Sequence, residues 1–333
     1  MAEADLLVSI RSDSSESGDE DTRQRAYPQY DRRIVEQYEN VALKGMATVN
    51  ELGHGLYGHI WRVVLPNGEL HAAKEIDVTE DVFLNECSVH SRLDHQSIVR
   101  FLGVSQLYCR SRLVDVLVTE LLSMNLYHCK EHFPEMPLVL SVTVSILCDI
   151  AEGMAYLHSL KPPIVHGDLA PRHILLTDYM RAKISGFAMA QVLDGTPLKT
   201  CPCRSLDIPF MPPELFCANP VYDGKLDVYS FGVLVVYVVA TASTITNSVD
   251  GENNFDTLER EILRHSIRDH CLYSLTEQCL QENSLKRIDS DTVVQILKQL
   301  SRKHPRCLKD ILELRCIEDV DVVSCTLLCI FVL

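Results

Sequence analysis

Three glycines and the hairpin that follows them are the part of the sequence best suited to binding a phosphorylated ligand. Gly53, Gly55 and Gly58 lie in the stretch "LGHGLYGHI", and the next residues, "HIWRVVLPNGELHAAKEI", have the pattern of a strand, a tight turn and a second strand. Glycine lets a backbone come close to a phosphate group and offer its N–H groups. A dinucleotide-binding loop requires a helix directly after the glycines, and no helical pattern follows here. The glycines therefore predict a loop that folds over the phosphates of a nucleotide.

One lysine is placed to reach those phosphates. Lys74 lies in "HAAKEI", 16 residues after Gly58, and its ammonium group could contact phosphate oxygens. Its natural partner is Glu86, in the helical pattern that follows. Exposed lysines and glutamates are common by chance, so the hypothesis of a functional pair depends on the position of both residues relative to the glycine-rich loop.

The pattern of elements that must position these residues changes near the middle of the chain. Residues 41–118 contain strand-like runs, a turn signal in "PNG" and one helical pattern, "DVFLNECSVHSRLDH". From about Pro137 the sequence is mostly helical, with the patterns "LVLSVTVSILCDIAEGMAYLHSL", "DGKLDVYSFGVLVVYVVA", "FDTLEREILRHSI" and "DTVVQILKQLSRK". Strands followed by helices predict an α+β protein with a small β-rich lobe, which contains one helix, and a larger helical lobe.

From about Gly45 to Leu300, the chain resembles the eukaryotic protein-kinase domain in the order and spacing of many motifs. The resemblance implies the bilobal protein-kinase fold, with ATP under the glycine-rich loop. In such kinases the residues that match Lys74 and Glu86 form an ion pair that holds the α- and β-phosphates. The other positions implied to contact ATP, among them a gatekeeper at 119 and a hinge at 120–122, are Leu52, Gly53, Gly55, Gly58, Ile60, Ala72, Thr119, Glu120 and Leu122.

The stretch "IVHGDLAPRHILLT" resembles the catalytic loop of the same family. Asp168 matches the aspartate that accepts the proton of the substrate hydroxyl. Arg172, four residues later, matches the tyrosine-kinase form of the loop, so the resemblance is to tyrosine kinases, although this marker alone carries modest information about the substrate. Asp168 and Arg172 are the candidate catalytic residues.

Three positions in the catalytic loop and the segment after it depart from the family pattern. Gly167 replaces an arginine that gathers a phosphorylated activation segment in kinases. His173 replaces a metal-binding asparagine, and imidazole is a poor ligand for Mg²⁺, which prefers hard oxygen ligands. Gly186, in "AKISGFAMA", stands where kinases carry the aspartate that binds Mg²⁺. We therefore expect weak or absent Mg²⁺ binding and slow phosphate transfer at best, since losing one preorganised electrostatic group typically costs about 10²–10³ in rate.

The residues that support the fold of a kinase are present. Glu214, in "PFMPPELF", and Arg287 match a buried ion pair of the larger lobe, and Asp227 matches the aspartate that anchors the catalytic loop. Phe187 is retained in the hydrophobic column that links the two lobes. His90 replaces the usual Leu or Met of that column, a polar change that would loosen the active arrangement.

Composition and charge limit the expected location and partners. Hydrophobic residues make up 47% of the 333 residues, and a formal net charge of −15 argues against nucleic acid as a partner. Thirteen cysteines without a regular spacing, and no apparent signal peptide, predict reduced thiols in a cytoplasmic protein. The apolar runs at residues 231–242 and 322–333 are too short to cross a bilayer as helices, so no transmembrane span is expected.

Three regions are expected along the chain. Residues 1–27, rich in serine and acidic residues, are predicted to be disordered because they have little apolar surface to bury. Residues 45–301 would form the kinase-like domain. Residues 302–333 would be a C-terminal extension whose apolar end packs on the domain, stays unordered or associates with a membrane. Cys201 and Cys203 are weak evidence for a zinc site, because no second pair accompanies them.

Three hypotheses for function remain open from the sequence. The leading one is a pseudokinase, an ATP-binding protein that acts in signalling by contacting other signalling proteins, such as an active kinase. The alternative is an active protein kinase that transfers the γ-phosphate of ATP to hydroxyl groups of Tyr or of Ser and Thr, because Lys74, Glu86 and Asp168 are all present. The third is an interaction module that binds no nucleotide, or a defective gene product. The replaced metal ligands favour the first.

Overall fold

The computed structural model describes residues 36–55, 58–75, 80–132, 140–195, 210–216, 222–239 and 270–305. These residues form a smaller lobe built on a β-sheet and a larger lobe built of helices, which confirms the predicted α+β bilobal architecture. Four predicted features lie outside the described residues, namely the tail at 1–27, the helical pattern at 255–267, the cysteine pair at 201–203 and the apolar end at 322–333.

Five antiparallel strands and one helix make up the smaller lobe. They are β1 (Ala47–Gly55), β2 (Gly58–Val64), β3 (Leu70–Glu75), α1 (Glu80–His90), β4 (Phe101–Cys109) and β5 (Arg112–Glu120). The strands lie in the order β1–β2–β3–β5–β4, so β1 and β4 form the edges of the sheet. The turn between β2 and β3 is closed by the Gly68 N–H, which donates to the Leu65 carbonyl oxygen at 2.9 Å, as the turn signal predicts.

Each face of this sheet buries its own set of apolar side chains, because successive residues of a strand point to opposite faces. On one face, Trp61 packs with aliphatic side chains of β2, β3, β4 and β5. On the other face, Phe83 and Cys87 of α1 pack against Val104 of β4 and Leu117 of β5. This second cluster attaches α1 to the sheet.

Helices dominate the larger lobe. Its elements are β6 (Met124–Asn125), α2 (Leu126–His132), α3 (Leu140–Ser159), β7 (Ile164–Val165), β8 (Ile174–Leu176), β9 (Ala182–Ile184), β10 (Gln191–Val192), α4 (Lys225–Val239), α5 (Tyr273–Cys279) and α6 (Ser290–Lys303). Strands β6, β8 and β9 form one small sheet, and β7 pairs with β10. Helices α3, α4 and α6 confirm three of the predicted helical patterns.

Helices α3 and α4 form the centre of this lobe, because a helix that is apolar nearly all round has to be buried. Within the described part of the chain, α3 is the one helix long and apolar enough to cross a membrane, but 67% of the relevant window is buried inside the lobe. Its surroundings are those of a core helix. Helix α6 is amphipathic and begins at the N-cap Asp289, whose side chain accepts from the Thr292 N–H at 2.8 Å.

The segment between α1 and β4 joins the two lobes. The Val99 N–H donates to the Ile184 carbonyl oxygen at 2.9 Å, and the Ile184 N–H donates to the Ser97 carbonyl oxygen at 2.8 Å. Ile184 is the last residue of β9, directly before the segment that contains Gly186. Backbone hydrogen bonds next to the candidate site therefore attach the smaller lobe to β9 of the larger lobe.

Candidate active site

The glycine-rich loop is the end of the β1–β2 hairpin. Gly55 pairs with Gly58 across the hairpin, and Gly53 pairs with Ile60 after an irregularity in the register of β1. The two residues at the tip, 56 and 57, are outside the described residues. The hairpin places Gly53, Gly55, Gly58 and Ile60 together, and Leu52 is half-buried on the same strand as Gly53.

Lys74 and Glu86 form an ion pair. Ile60 of β2 pairs with Lys74 of β3, which brings the lysine to the strand beside the glycine-rich hairpin. Its Nζ donates to Glu86 Oε2 on α1 at 2.7 Å. Burial alone would raise the pKa of Glu86, but the Lys74 ammonium and its hydrogen bond hold that pKa below its usual range. Glu86 is therefore an anion at neutral pH, and Lys74 lies at the position expected for a phosphate contact.

The predicted gatekeeper, Thr119, is the next-to-last residue of strand β5, and the predicted hinge begins at Glu120, the last residue of that strand. Ala72 pairs with Thr119, whose hydroxyl donates to the Glu120 carbonyl oxygen at 3.1 Å. The Glu120 carboxylate accepts from Lys183 Nζ at 2.6 Å and from the Arg100 N–H at 2.7 Å. That side chain is occupied by protein partners, so an adenine base would have to use the backbone of this segment, which continues to the half-buried Leu122.

Asp168 lies at the centre of the catalytic loop. Arg172 Nη2 donates to both of its carboxylate oxygens, at 3.0 and 2.9 Å, and His173 Nε2 lies 3.1 Å from Oδ2. Asp227 of α4 holds the loop from below, because its carboxylate accepts from the backbone N–H of His166 at 2.8 Å and of Gly167 at 2.9 Å. The structure thus brings both candidate catalytic residues together around one buried carboxylate.

The imidazole of His173 is buried among these charged groups. Burial lowers the pKa of His173 to about 4, although the nearby Asp168 carboxylate acts in the opposite direction. The ring is therefore neutral at pH 7. Its Nε2 lies 3.0 Å from Arg172 Nε and 3.1 Å from Asp168 Oδ2, so it accepts from the guanidinium in one tautomer and donates to the carboxylate in the other.

The same imidazole fills the space in front of Gly186. A Cβ atom added to Gly186 would overlap His173 Nδ1 and would lie 2.5 Å from Cε1. Gly186 also has a left-handed backbone, with φ of 78°, which glycine adopts at little cost. The sequence identified Gly186 and His173 as departures from the kinase motifs. It did not reveal that the His173 ring occupies the space where a side chain at position 186 would lie.

The side chains next to Gly186 offer few ligands to a divalent metal ion. Gly186 offers no side-chain ligand, and the buried imidazole and carboxylate of His173 and Asp168 are turned toward each other. Among the described residues, no group of three His, Cys, Asp or Glu side chains lies close enough to hold a metal ion. The hairpin, Lys74 and the segment after β5 do fit a nucleotide, since they offer backbone N–H groups, an ammonium group and an apolar strand surface.

A comparison with protein families decides the assignment. A family model described as protein tyrosine and serine/threonine kinase matches residues 46–297. The chain belongs to the protein kinase family. Its membership agrees with the bilobal fold and implies that the kinase domain binds ATP.

The curated relatives of this kinase include receptor-like kinases of Arabidopsis thaliana. It is 27% identical over 298 residues to Calcium/calmodulin-regulated receptor-like kinase 2, covering 84% of this chain and 65% of the relative. It is 27% identical over 307 residues to G-type lectin S-receptor-like serine/threonine-protein kinase RKS1, covering 83% and 35%. It is 32% identical over 223 residues to Cysteine-rich receptor-like protein kinase 4, covering 64% and 31%. The chain spans about one third to two thirds of the length of these relatives.

These relatives correct one expectation and leave another without support. The expectation of a cytoplasmic protein is wrong, because the relatives are receptor-like kinases, a class of membrane proteins. That expectation depended on the absence of an apparent signal peptide and spanning segment, which is weak ground when the chain matches only part of longer proteins. The tyrosine-kinase-like interpretation of Arg172 gains no support either, since RKS1 is named as a serine/threonine kinase.

The hydrophobic column of this kinase is assembled. The ring of Phe187 lies 4.7 Å from that of His90 and 5.2 Å from that of His166, measured between ring centroids. His90 Nε2 lies 2.6 Å from the Val99 carbonyl oxygen, and burial lowers the pKa of His90. The polar replacement at His90 therefore joins the column as a neutral ring with its own hydrogen bond.

Asn85 was missed by sequence reasoning. Its Nδ2 donates to the carbonyl oxygens of Ala188 and Ala190, at 3.2 and 2.8 Å. These residues lie two and four positions after Gly186, so Asn85 ties α1 to the beginning of the activation segment. The sequence holds one weak signal, which is a polar residue at a buried helical position directly before Glu86.

Proposed function

We propose that this kinase-family protein is an ATP-binding pseudokinase, with strongly impaired phosphate transfer, that acts in signalling by contacting other signalling proteins, such as an active kinase. The observation that carries the proposal is the position of the His173 ring against Gly186. In a kinase, that volume belongs to the metal-binding aspartate. Here it is filled by a neutral ring, so restoring the missing carboxylate alone would not restore the site.

Nucleotide binding is supported by the formed Lys74–Glu86 pair and by the glycine-rich hairpin beside it. The ammonium would contact the α- and β-phosphates, and the backbone N–H groups of the hairpin would hold the phosphates from above. The backbone of the segment after β5 would bind adenine, because the Glu120 carboxylate is already engaged by Lys183. Little or no Mg²⁺ would be needed.

Phosphate transfer is expected to be slow for an electrostatic reason. A kinase uses its metal ions to neutralise the charge that develops on the γ-phosphate, and typical turnover is about 1–100 s⁻¹. Loss of one such group costs roughly 10²–10³ in rate, and the positions of both His173 and Gly186 are altered. Asp168 could still accept a proton, but it gains little if the γ-phosphate is not held.

The alternative is an active protein kinase that phosphorylates hydroxyl groups of protein substrates. It is favoured by two observations, the 2.7 Å Lys74–Glu86 pair and the assembled column around Phe187. Both belong to the arrangement that kinases need for activity. These two observations concern the positions of α1 and of the two lobes. The pseudokinase proposal depends instead on the metal-binding positions, Gly186 and His173.

The first experiment compares ATP binding by calorimetry in excess EDTA and in Mg²⁺. The proposal expects similar affinity in both. A much higher affinity in Mg²⁺ than in EDTA would contradict the proposal that ATP binds without Mg²⁺. No binding in either buffer would contradict the proposal that the protein binds ATP.

The second experiment measures phosphate transfer from labelled ATP, with Mg²⁺ or Mn²⁺, by the native protein and by Asp168→Asn. The proposal expects no difference between the two. Transfer that is lost in Asp168→Asn would establish the active-kinase alternative. The double variant Gly186→Asp/His173→Asn serves as a control, because it supplies both metal ligands in the same fold and should gain Mg²⁺-dependent ATP binding.

A further inference from the structure

A short segment before the kinase domain packs on the smaller lobe. This docking segment, residues 36–44, lies ahead of the part of the chain that matches the kinase family, which begins at residue 46. It contains two single-turn 3₁₀ helices, Glu36–Tyr38 and Val41–Leu43. The docking segment contains none of the residues assigned to the nucleotide site, so that site does not explain why the segment packs on the smaller lobe.

Backbone and side-chain hydrogen bonds fasten the docking segment to β4, the edge strand of the sheet. The Asn40 N–H donates to the Val104 carbonyl oxygen at 3.1 Å, and Asn40 Nδ2 donates to the Leu102 carbonyl oxygen at 2.7 Å. The neighbouring Glu39 forms a parallel bridge with Val104. The segment thus covers backbone groups of an edge that would otherwise be open.

Gly103 is shaped for this contact. Its backbone has φ of 137°, a conformation that side chains other than glycine rarely adopt. A Cβ atom at Gly103 would lie 2.7 Å from Asn40 Cβ and 3.1 Å from the Tyr38 carbonyl oxygen. Strand β4 therefore carries a glycine at the place where the docking segment comes closest.

Tyr38 packs the docking segment against the cluster that attaches α1 to the sheet. It packs against the cluster formed by Phe83 and Cys87 of α1 with Val104 and Leu117 of the sheet. Phe83 and Cys87 are four residues apart and therefore lie on one face of the helix. Tyr38 contacts the same cluster that attaches α1 to the sheet.

We propose that the docking segment holds α1 in the position that forms the Lys74–Glu86 pair, so that this segment regulates the nucleotide site. Glu86 directly precedes Cys87, so any movement that lifts Cys87 out of its cluster also carries Glu86 away from Lys74. Tyr38 is a positioning residue in this arrangement, because it acts through α1. The effect on nucleotide binding rests on the proposed function, whereas the position of α1 does not.

Cys87 offers a direct measurement of this position. Its side chain is 0% exposed, and burial raises the pKa of its thiol, so it is unreactive while α1 stays in place. Labelling by N-ethylmaleimide, followed peptide by peptide with mass spectrometry, reports how often the helix moves away. Cys129 and Cys279, buried in the larger lobe, report global unfolding. Cys109 is buried on the other face of the sheet in a cluster that includes Leu43 of the docking segment, so it reports loosening of the smaller lobe or release of the whole segment.

The test compares Tyr38→Ala with Tyr108→Ala, which removes a tyrosine that is 67% exposed on the same edge strand. Without nucleotide, we expect Tyr38→Ala to raise the labelling rate of Cys87 about tenfold, which corresponds to about 1.4 kcal/mol in the opening equilibrium. Cys109, Cys129 and Cys279 should keep their native rates. Tyr108→Ala should change none of the four.

A second variant tests whether the whole docking segment, and not only the Tyr38 ring, holds α1 in place. Gly103→Ala should displace the segment and raise Cys87 labelling to a similar extent, and adding Tyr38→Ala to it should have little further effect, because the contact is already lost. Unchanged Cys87 labelling in Tyr38→Ala, or an equal rise at Cys109, would overturn the proposal. So would fully independent effects of the two substitutions. Because labelling is measured without nucleotide, a failure of ATP binding by the native protein would be seen separately.

Discussion

At the scale of single residues, the volume in front of Gly186 is already occupied. His173 fills that volume with a ring that burial keeps neutral, and the same ring contacts the Asp168 carboxylate. A carboxylate at position 186 and an imidazole at position 173 therefore exclude each other sterically. The two replacements act as a pair, although they are 13 residues apart in the sequence.

The single substitution Gly186→Asp is expected to destabilise the fold by about 2 kcal/mol, because it inserts atoms into filled space. Adding His173→Asn should recover most of that loss, since the smaller side chain vacates the volume. The free energy of unfolding in urea measures both. Equal stability of the single and double variants would show that the His173 ring can move aside freely.

Stability is expected to depend on the protonation of His90. Burial lowers the pKa of His90 in the folded protein below the unfolded value of about 6.5. As the pH falls below 6.5, the unfolded chain binds a proton that the folded chain does not, so the free energy of unfolding decreases until the folded pKa is reached. Glu86, Lys74 and His166 are the charged or titratable groups that act electrostatically on this ring, Glu86 raising its pKa and the other two lowering it.

The variant His90→Leu should remove this contribution. As the pH is lowered from 7 to 5, the free energy of unfolding should therefore fall less in His90→Leu than in the native protein. This holds whatever the difference in free energy of unfolding between the two proteins at pH 7. Urea unfolding at several pH values measures the slope. His304→Asn, at the partly exposed end of α6, is the control, and parallel curves for the native protein and His90→Leu would contradict the assignment.

The amino-acid sequence predicted only some of the interactions of single residues in the site. Gly186 and His173 stand at the positions that carry metal ligands in the kinase motifs, so the hypothesis of altered metal binding could be drawn from the sequence. The overlap of position 186 with the His173 ring could not, because it depends on a rotamer and a left-handed backbone that no local pattern encodes. The role of Asn85 was missed for the same reason, since its partners lie more than 100 residues away.

At the scale of elements, α1 is held from two sides. Asn85 ties it to the beginning of the activation segment, and the cluster around Cys87 ties it to the sheet and the docking segment. Strand pairing and helical patterns predicted that α1, the five strands and the central helices exist. The attachment of α1 was not predictable, because residues 36–44 have no strong pattern of their own.

Removing the Asn85 amide should loosen α1. Asn85→Ala leaves two buried carbonyl oxygens without their donor, at an expected loss of about 1–3 kcal/mol in unfolding free energy. Asn85→Asp should cost more, because a carboxylate would face two carbonyl oxygens. Faster hydrogen exchange of the amides at residues 188–192 would accompany both. Asn67→Ala, in the exposed β2–β3 turn, should have no such effect.

At the scale of the whole molecule, the larger lobe is organised by one buried ion pair. Arg287 is fully buried, and its guanidinium donates to both carboxylate oxygens of Glu214, at 2.6 and 3.0 Å. The pair joins the end of the activation segment to the residues before α6, as the motif order predicted. The similarity to receptor-like kinases was not predictable from the residues of the site, because it extends along the whole domain.

Breaking this pair should destabilise the molecule. Glu214→Ala leaves the buried Arg287 charge without its partner, at an expected cost of about 3–5 kcal/mol. Glu152→Ala removes the partner of Lys298, which is half-exposed, and should cost less than about 1 kcal/mol. Urea unfolding compares the two. Similar losses would show that water or other side chains compensate the Arg287 charge.

The link between Glu120 and Lys183 has a mechanical consequence. It joins the last residue of β5 in the smaller lobe to β9 in the larger one, at 2.6 Å, directly beside the connection on which the lobes would swing. Both side chains are about four-fifths buried, so dissolved ions screen this attraction only weakly. We therefore expect the Glu120–Lys183 link to keep the two lobes connected beside the hinge over a wide range of ionic strength.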